Sequence, residues 1–509
     1  MAADGIAATL AAAFSDHQAG RIDRAVEAYR RVIADDADNA DALNLLASAL
    51  RSQGALNEAI DLAVRAASAA PGRPDILYNC GNALSAGGDS EGAAGMYRAV
   101  LEQAPDHADA AANLGIALAR RGDTDGAVAA YERALEQQPS HSIAGLNLGN
   151  LLGEIGQHDR STALLRQVAA AHPALPEAPY NLALALLRLG DFATGWTAYE
   201  SRWRTADFSS KPRHQHRPAW DGRPFPGRRL LVHAEQGLGD TIQFVRLLRV
   251  AASLGGTITL EAPTVLKALL EGIDGADAIS DEVDAMAHDF QVPLLSLPHR
   301  LGLTLGGIPA QVPYLAARPE RIDSWRERLV ADERKLLGVG WRGNPLSPAD
   351  KGRSLPDAGI LAPLAAIPGV RLISLHKTGS AELVADGSEG GWRVPGIPFT
   401  IEHPGPDFDA GADAFLDTAA VMTLCDAVVT TDTSIAHLAG ALARPSVVLL
   451  KAVPDWRWLR ERSDSPWYPT MTLARQETAG DFAAPIAKAA GIVAALFDQA
   501  GARRAMKPI

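Results

Sequence analysis

The sequence predicts an all-α array of helix pairs over roughly its first two hundred residues, followed by an α/β module of two lobes. Three observations predict it. A strict internal repeat runs from the N-terminus, a proline-punctuated basic stretch ends it, and short apolar runs then alternate with helical stretches. The 509 residues are enough for several cores, and 47% hydrophobic with 21% charged residues is ordinary globular composition.

The repeat has a period of 34 residues: Gly54, Gly88, Gly122, Gly156 and Gly190 each follow the last by that interval, with Gly20 in phase before them. Pro71, Pro105, Pro139 and Pro173 keep the same spacing, as do Ala59, Ala93 and Ala127. Tyr29, Tyr97, Tyr131 and Tyr199 share one phase. The phased glycine ends the first helix of each pair, where a left-handed residue costs least. The phased proline stops the second. Small residues (Ala47, Gly81, Gly115, Gly149, Ala183) admit a neighbouring helix, and Leu46, Leu114, Leu148 and Leu182 fill the layer between. This pattern resembles the tetratricopeptide (TPR) repeat, six copies over roughly residues 6–204. The sixth is the most aromatic, with Trp196, Tyr199 and Trp203, and reads as a packing surface or an end cap.

A second ladder, Asn79, Asn113, Asn147 and Asn181, keeps the same period, with Asn82 and Asn150 one turn on. These lie two residues before the small packing residue, so they point away from the buried stripe, toward the groove of the superhelix. An amide donates and accepts, so a column of them can hold an extended peptide backbone. The ladder looks similar to that of eukaryotic protein O-GlcNAc transferase. A protein partner bound in the groove is expected.

Between Arg204 and Arg228 the repeat stops, and Pro212, Pro218, Pro224 and Pro226 mix with Lys211, Arg213, His214, His216 and Arg217. This reads as a solvated linker. Strand-like runs follow at Leu230–His233, Thr257–Glu261, Leu337–Trp341, Val370–Leu375, Ala427–Thr430 and Ser446–Leu450. Buried apolar strands alternating with helices imply parallel sheets covered on both faces. The predicted boundaries are a helical superhelix at 1–205, a linker at 206–228, a short first Rossmann-like lobe at 229–318 and a second at 319–500. A helix at Pro319–Asp332 would bridge the lobes, and the cleft between them would hold the site.

Three loops can carry chemistry there. In His233–Thr241, Gly237 and Gly239 permit a tight turn into a helix whose start can receive an anion or an acceptor. A third glycine and a Gly-Lys-Ser/Thr are absent, so this is neither a dinucleotide fingerprint nor a P-loop. Asp240 can take a proton from an attacking hydroxyl or cap the helix. In Thr430–His437, the start of a helix at Asp432, Thr433 and Ser434 suits a phosphate, and His437 can act as a cation or a donor, or be structural. In Trp341–Ser354, Arg342, Lys351 and Arg353 are candidate clamps for a phosphate or carboxylate.

Taken together these loops resemble the heptosyltransferase-type (family 9) GT-B glycosyltransferases, in the branch that follows TPR repeats in bacteria. Gly237-x-Gly239-Asp240 matches the loop bearing the general base, and Asp432-Thr-x-x-x-His437 matches the donor-phosphate loop. Lys351 or Arg353 matches a basic residue that holds the donor phosphate. Pro293–Pro298, Asp417–Ala420, Asp455-Trp-Arg-Trp458 and Ser465-Pro-Trp-Tyr-Pro469 extend the likeness over residues 218–480. The layout resembles the TPR-containing flagellin glycosyltransferases of stalked alphaproteobacteria. The resemblance implies transfer of a nonulosonic acid (pseudaminic or legionaminic) from a CMP-linked nucleotide-sugar to Ser or Thr of flagellin. Direct displacement with inversion and without a metal is expected, no Asp-x-Asp or His/Cys cluster with ligand spacing being expected to serve one. No cofactor beyond that co-substrate is implied. A glycolipid acceptor for a heptose or hexose, or a TPR scaffold without activity, are the alternatives.

A formal charge of −12 argues against nucleic acid or an anionic membrane as the main partner. Two cysteines, Cys80 and Cys425, are too few for a disulfide framework. No apolar run reaches the ~20 residues of a membrane span. The N-terminus lacks a basic leader, so a cytoplasmic protein is expected.

Overall fold

The computed structural model describes residues 3–330, 332–347, 350–377, 383–385 and 391–505. The chain divides into two compact units, Met1–Asn181 and Leu182–Ile509.

The first unit is a run of antiparallel helix pairs: Ala3–Gln18 with Ile22–Asp35, Ala40–Ser52 with Leu56–Ala69, Pro74–Ala86 with Ser90–Gln103, Ala108–Arg120 with Thr124–Gln137, and Ser142–Glu154 with His158–Ala171. The phased glycines turn each pair with φ between 75° and 86°, a region in which a Cβ is strained. The small residues have the predicted purpose. A Cβ on Gly81 would stand 2.6 Å from the Tyr97 ring, and one on Gly115 2.5 Å from Tyr131. Second helices begin on side-chain caps where the sequence offers one: Asp89 accepts from Gly92 N at 2.8 Å and Asp123 from Gly126 N at 3.0 Å.

The asparagine ladder is not an open row of amides. Asn79 Nδ2 donates to Asn44 Oδ1 at 3.0 Å, and Asn113 Nδ2 donates to Tyr78 Oη at 3.1 Å and Asn82 Oδ1 at 3.0 Å. Tyr97 Oη also donates to Asn82, at 2.8 Å. These groups are half-buried, where an unpaired amide is costly, so neighbouring repeats pair them laterally. Asn147 and Asn181 are half-buried as well, whereas Asn150 is exposed.

The division between units falls inside the sixth repeat's first helix, Glu177–Leu189, rather than after residue 205. The following helix, Phe192–Tyr199, lies in the second unit's aromatic core. Trp196 meets Trp456 (5.2 Å between centroids) and Phe244 (6.0 Å) edge-on, and Phe192 stacks on Trp467 at 5.9 Å. Of the two readings of this aromatic repeat, packing surface is the one realised.

The second unit contains two sheets. The first has β1 (Arg229–His233), β2 (Thr257–Glu261), β3 (Ala278–Ser280) and β4 (Phe290–Pro293), all parallel, in the order β3-β2-β1-β4. The second has β5 (Lys335–Gly340), β6 (Val370–Ser374), β7 (Val384–Ala385), β8 (Trp392–Arg393), β9 (Ile401–His403), β10 (Ala427–Thr431), β11 (Ser446–Leu450) and β12 (Met471–Arg475). Its order is β12-β11-β10-β5-β6-β9-β8-β7, with every pairing parallel except the last two, so β8 alone runs against the others. The six strands expected are present within one or two residues. β3, β4, β7, β8, β9 and β12 were not expected, being too short or too polar to stand out by pattern alone. In the first sheet the winding reverses between β1 and β4, in the second between β5 and β10. Loops leaving the carboxyl ends of such strands open into a crevice.

Two expectations are corrected. The helix predicted at Pro319–Asp332 ends at Leu329, and it does not simply bridge lobes. It is fastened to the helix Leu416–Leu424 through Asp417, which accepts from Trp325 Nε1 at 2.8 Å and Arg321 Nη1 at 3.0 Å. The basic linker is exposed along most of its length but is anchored rather than free. Trp220 and Phe225 are buried, and Trp220 N donates to Gln291 O at 2.9 Å, adding the segment to the edge of β4. Arg213 and His214 both reach Glu261, each at 2.6 Å. A carboxylate at the end of a buried strand needs polar partners, and the linker supplies a guanidinium and an imidazole.

Candidate functional site

The first loop turns through Gln236 (φ 61°) and Gly237 into the helix Leu238–Phe244. Asp240 is the third residue of that helix. Its Oδ2 accepts from Gly237 N at 2.9 Å, which is the capping role, and its Oδ1 accepts from Arg457 Nη2. Both oxygens of the candidate base are therefore engaged.

The second loop leaves β10 and starts the helix Ser434–Ala441. Asp432 is buried, and the hydroxyls of Thr431 and Thr433 are buried without a hydrogen-bond partner. Orphaned hydroxyls at a helix start are what a bound oxyanion would satisfy. The two helix starts meet: a Cβ on Gly239 would stand 3.1 Å from His437 Cδ2 and 3.4 Å from Ser434 Cα. Glycine at 239 is thus required by close approach, not by the turn alone.

His437 corrects one expectation. Burial pushes its pKa down to about 3, so at neutral pH it is not a cation. Its ring stacks on Trp458 (5.6 Å, 12° between planes), and Nδ1 lies 3.0 Å from Tyr468 Oη. Only a neutral donor or acceptor role is left to it. The positive charge comes from arginines.

Those arginines form an alternating chain with acids. Arg457 binds Asp240, Asp455 Oδ1 at 2.8 Å and, through Nε, Gln243 Oε1 at 2.7 Å. Arg353 stands 3.3 Å from Asp455 and 3.3 Å from Asp432. The order is Asp240, Arg457, Asp455, Arg353, Asp432, so the network runs from the crevice loop of the first sheet to that of the second. Burial would raise the Asp455 pKa, but Arg457 and Arg353 outweigh it and hold the group down at about 2. Asp432 is shifted the other way, because burial outweighs its attraction to Arg353. Three acids share two guanidinium groups, and the most deeply buried end acid bears the cost.

In the third loop, Gly343 lies against the second: its added Cβ would be 3.4 Å from Thr433 Cγ2. Arg353 is drawn into the network, while Lys351 and Arg342 are exposed at the rim. The geometry brings together Gly237, Gly239, Asp240, Arg353, Asp432, Thr433, Ser434 and His437. The six asparagines belong to the helical array.

Sequence reasoning assigned no role to Asp455, Arg457, Gln243 or Tyr468. The signal was present in Asp455-Trp-Arg-Trp458 and Ser465-Pro-Trp-Tyr-Pro469, where charged or hydroxylated residues sit among tryptophans. An Asp-x-Asp, the pattern associated with metal-dependent transfer, does stand at Asp407-Phe408-Asp409. Its acids are used structurally: Asp409 accepts from Asp417 N at 2.8 Å and binds Thr418 Oγ1, and Asp407 pairs with Arg328 at 3.3 Å. Among the described residues no group of three or more His, Cys, Asp or Glu is arranged to hold a metal, and no helix is long and apolar enough to cross a membrane.

Residues 11–74, 78–142 and 146–208 match the tetratricopeptide repeat family. Over 331 residues the chain is 27% identical to Protein FlbA of Caulobacter vibrioides, an alignment covering 58% of this chain and 52% of that protein. The chain thus spans about half the length of that relative. Among solved structures, the MamA protein is 20% identical over 33% of this chain and 92% of its own, with a TM-score of 0.31. A tetratricopeptide repeat protein of Parabacteroides merdae is 20% identical over 41% and 81%, with a TM-score of 0.36. The family match makes the repeats tetratricopeptide repeats, an architecture whose stacked helices present extended surfaces to protein partners.

Proposed function

We propose that the chain is a protein O-glycosyltransferase whose α/β region works as a two-lobed GT-B-type module. The observation that carries this reading is the convergence of two helix starts, Gly237–Asp240 and Thr433–His437, at the crevice ends of two sheets, joined by a chain of arginines and acids. One start presents a carboxylate and the other presents unsatisfied hydroxyls beside a guanidinium. That pairing suits transfer from a donor whose leaving group is a phosphate.

In this reading the acceptor hydroxyl oxygen bonds to the anomeric carbon while the bond from that carbon to the phosphate oxygen breaks. Asp240 takes the hydroxyl proton. Thr433, Ser434 and Arg353 stabilise the departing phosphate, as preorganised donors in a dry site do. Arg457 holds Asp240 in place, and substrate must loosen that pair before Asp240 can act. The repeats would bring the acceptor as a protein segment. The resemblance in the loops and layout suggests flagellin as acceptor and a CMP-linked nonulosonic acid as donor.

One observation favours a second reading, a TPR scaffold without transfer activity: both Asp240 oxygens are already bound. Intact-mass measurement of flagellins from cells with and without the gene separates the two. The proposal expects sugar-sized losses on deletion, restored by wild type and not by Asp240→Ala. Unchanged masses would remove flagellin as acceptor, and restoration by Asp240→Ala would remove Asp240 as base.

A further inference from the structure

Arg246 lies in the turn Val245–Leu247, just after the helix that bears Asp240. It is 4% exposed. Its Nε, Nη1 and Nη2 are all buried with no hydrogen-bond partner, and among the described residues it forms no ion pair. Two aromatic faces lie against it: the guanidinium carbon is 4.6 Å from the Tyr314 ring centroid and 5.0 Å from that of Tyr468. Ring faces offset part of a cation's desolvation but satisfy none of its N–H donors geometrically. A buried guanidinium elsewhere in this unit, Arg202 or Arg457, is matched by carboxylates. Arg246 is the exception.

Arg246 also lines a cavity of about 700 Å³, together with Val250, Leu269, Tyr314 and Leu315; the two acids of its wall, Glu271 and Asp274, are paired with Arg318 and Arg249. That volume suits a small molecule. Tyr314 covers the guanidinium on that side. It is half-buried, and its hydroxyl is tethered to Ile242 O at 3.0 Å. Turning this ring aside would uncover a cation that has no counter-ion.

We propose that this cavity binds a small organic acid, its oxyanion on Arg246 and its apolar body against Val250, Leu269 and Leu315. A carboxylate or a phosphate fulfils the same chemistry, since a guanidinium fork matches both. Tyr468, one of the two rings against Arg246, has its Oη 3.0 Å from His437 Nδ1, so the site adjoins the phosphate loop; the proposal does not rest on the transferase reading.

The test is calorimetric titration of the full chain with benzoate and with inorganic phosphate, against chloride at matched ionic strength. Saturable binding of either is expected, and which one binds identifies the acidic group. Arg246→Met should weaken binding by about tenfold or more. Tyr314→Ala removes the cover and should keep or tighten it. Ala310→Glu, at an exposed wall position with no side-chain partner, adds a negative charge and should weaken binding with the fold intact, which keeps the test decisive if Arg246→Met does not fold. Heats equal to those of chloride, or an Arg246→Met or Ala310→Glu protein binding like wild type, would overturn the proposal.

Discussion

Arg457 and Asp240, 217 positions apart in the chain, are bound to each other by a charge-assisted hydrogen bond. The carboxylate sits on the first turn of a helix after β1, and the guanidinium sits in the short turn Trp456–Trp458 after β11. The pair therefore links the two sheets through the groups nearest the candidate chemistry.

Asp240 then has two separable duties, one electrostatic and one chemical. Asp240→Asn keeps an oxygen for Gly237 N but loses the ionised oxygen. Transfer should fall by about 10²–10⁴-fold, the range of a lost general base. Stability should fall by only about 1–2 kcal/mol, because Arg457 keeps Asp455 and Gln243. Asp240→Ala loses the cap as well and should cost about a further 1 kcal/mol. Urea unfolding beside a donor-turnover assay measures both. Full turnover in a folded Asp240→Asn protein would assign Asp240 to structure alone.

Gly239→Ala tests the contact between the two helix starts. The new methyl meets His437 at 3.1 Å and the Ser434 backbone at 3.4 Å. One of the two helices must give, at a cost of about 1–3 kcal/mol. If the helix start at Ser434 receives the donor, KM for the donor should rise more than kcat falls. A thermal melt and initial-rate kinetics check this, and a wild-type KM would separate the contact from donor binding.

His437 and His233 should give the fold an acid limb. Burial depresses their pKa values to about 3 and about 4 from 6.5. Each is neutral when folded below pH 6.5 yet takes up a proton on unfolding, so the unfolded chain binds more protons there. The stability this represents is complete above pH 6.5 and is lost as pH falls toward the folded values. The loss between pH 6.5 and 5 should be about 1–2 kcal/mol per histidine. Urea titrations across that range should show His437→Gln with a shallower slope than wild type.

The asparagine ladder divides by its lateral bonds. Asn113→Ala removes donors from Tyr78 and Asn82 and should destabilise the array by about 1 kcal/mol. Asn147 makes no such lateral bond among the described residues, so Asn147→Ala should leave the melt unchanged. If the ladder grips an extended peptide, both should weaken capture of the acceptor in a pull-down with purified protein. Loss of capture by Asn113→Ala alone would mean the bonds only hold the array's shape.

The repeat array was readable because each of its positions has one dominant demand. Gly54 and Gly122 need positive φ, Gly81 and Gly115 need room for a tyrosine, and a 34-residue period exposes all of them together. The candidate loops were readable too, since glycine and acid at a strand end mark a crevice. What escaped was every relation between distant segments. Nothing local in Asp455–Trp458 says that Arg457 will bind a residue after β1, or that His437 will be buried deeply enough to lose its charge. The linker was misread for the same reason: Pro218 and His214 look like solvent residues until β4 and Glu261 give them partners.

The helix Phe192–Tyr199 follows the rules of a repeat but is built into the aromatic core around Phe244, Trp456 and Trp467. Anyone cutting the chain at its proline-rich stretch to isolate the α/β half would strip that core of Phe192 and Trp196 and leave a sticky fragment. The workable cut lies earlier, upstream of Glu177. The same feature gives evolution a one-sided freedom: copies inserted or lost among the first five repeats leave those aromatic contacts intact, so the reach of the array can be retuned without rebuilding what lies at its end.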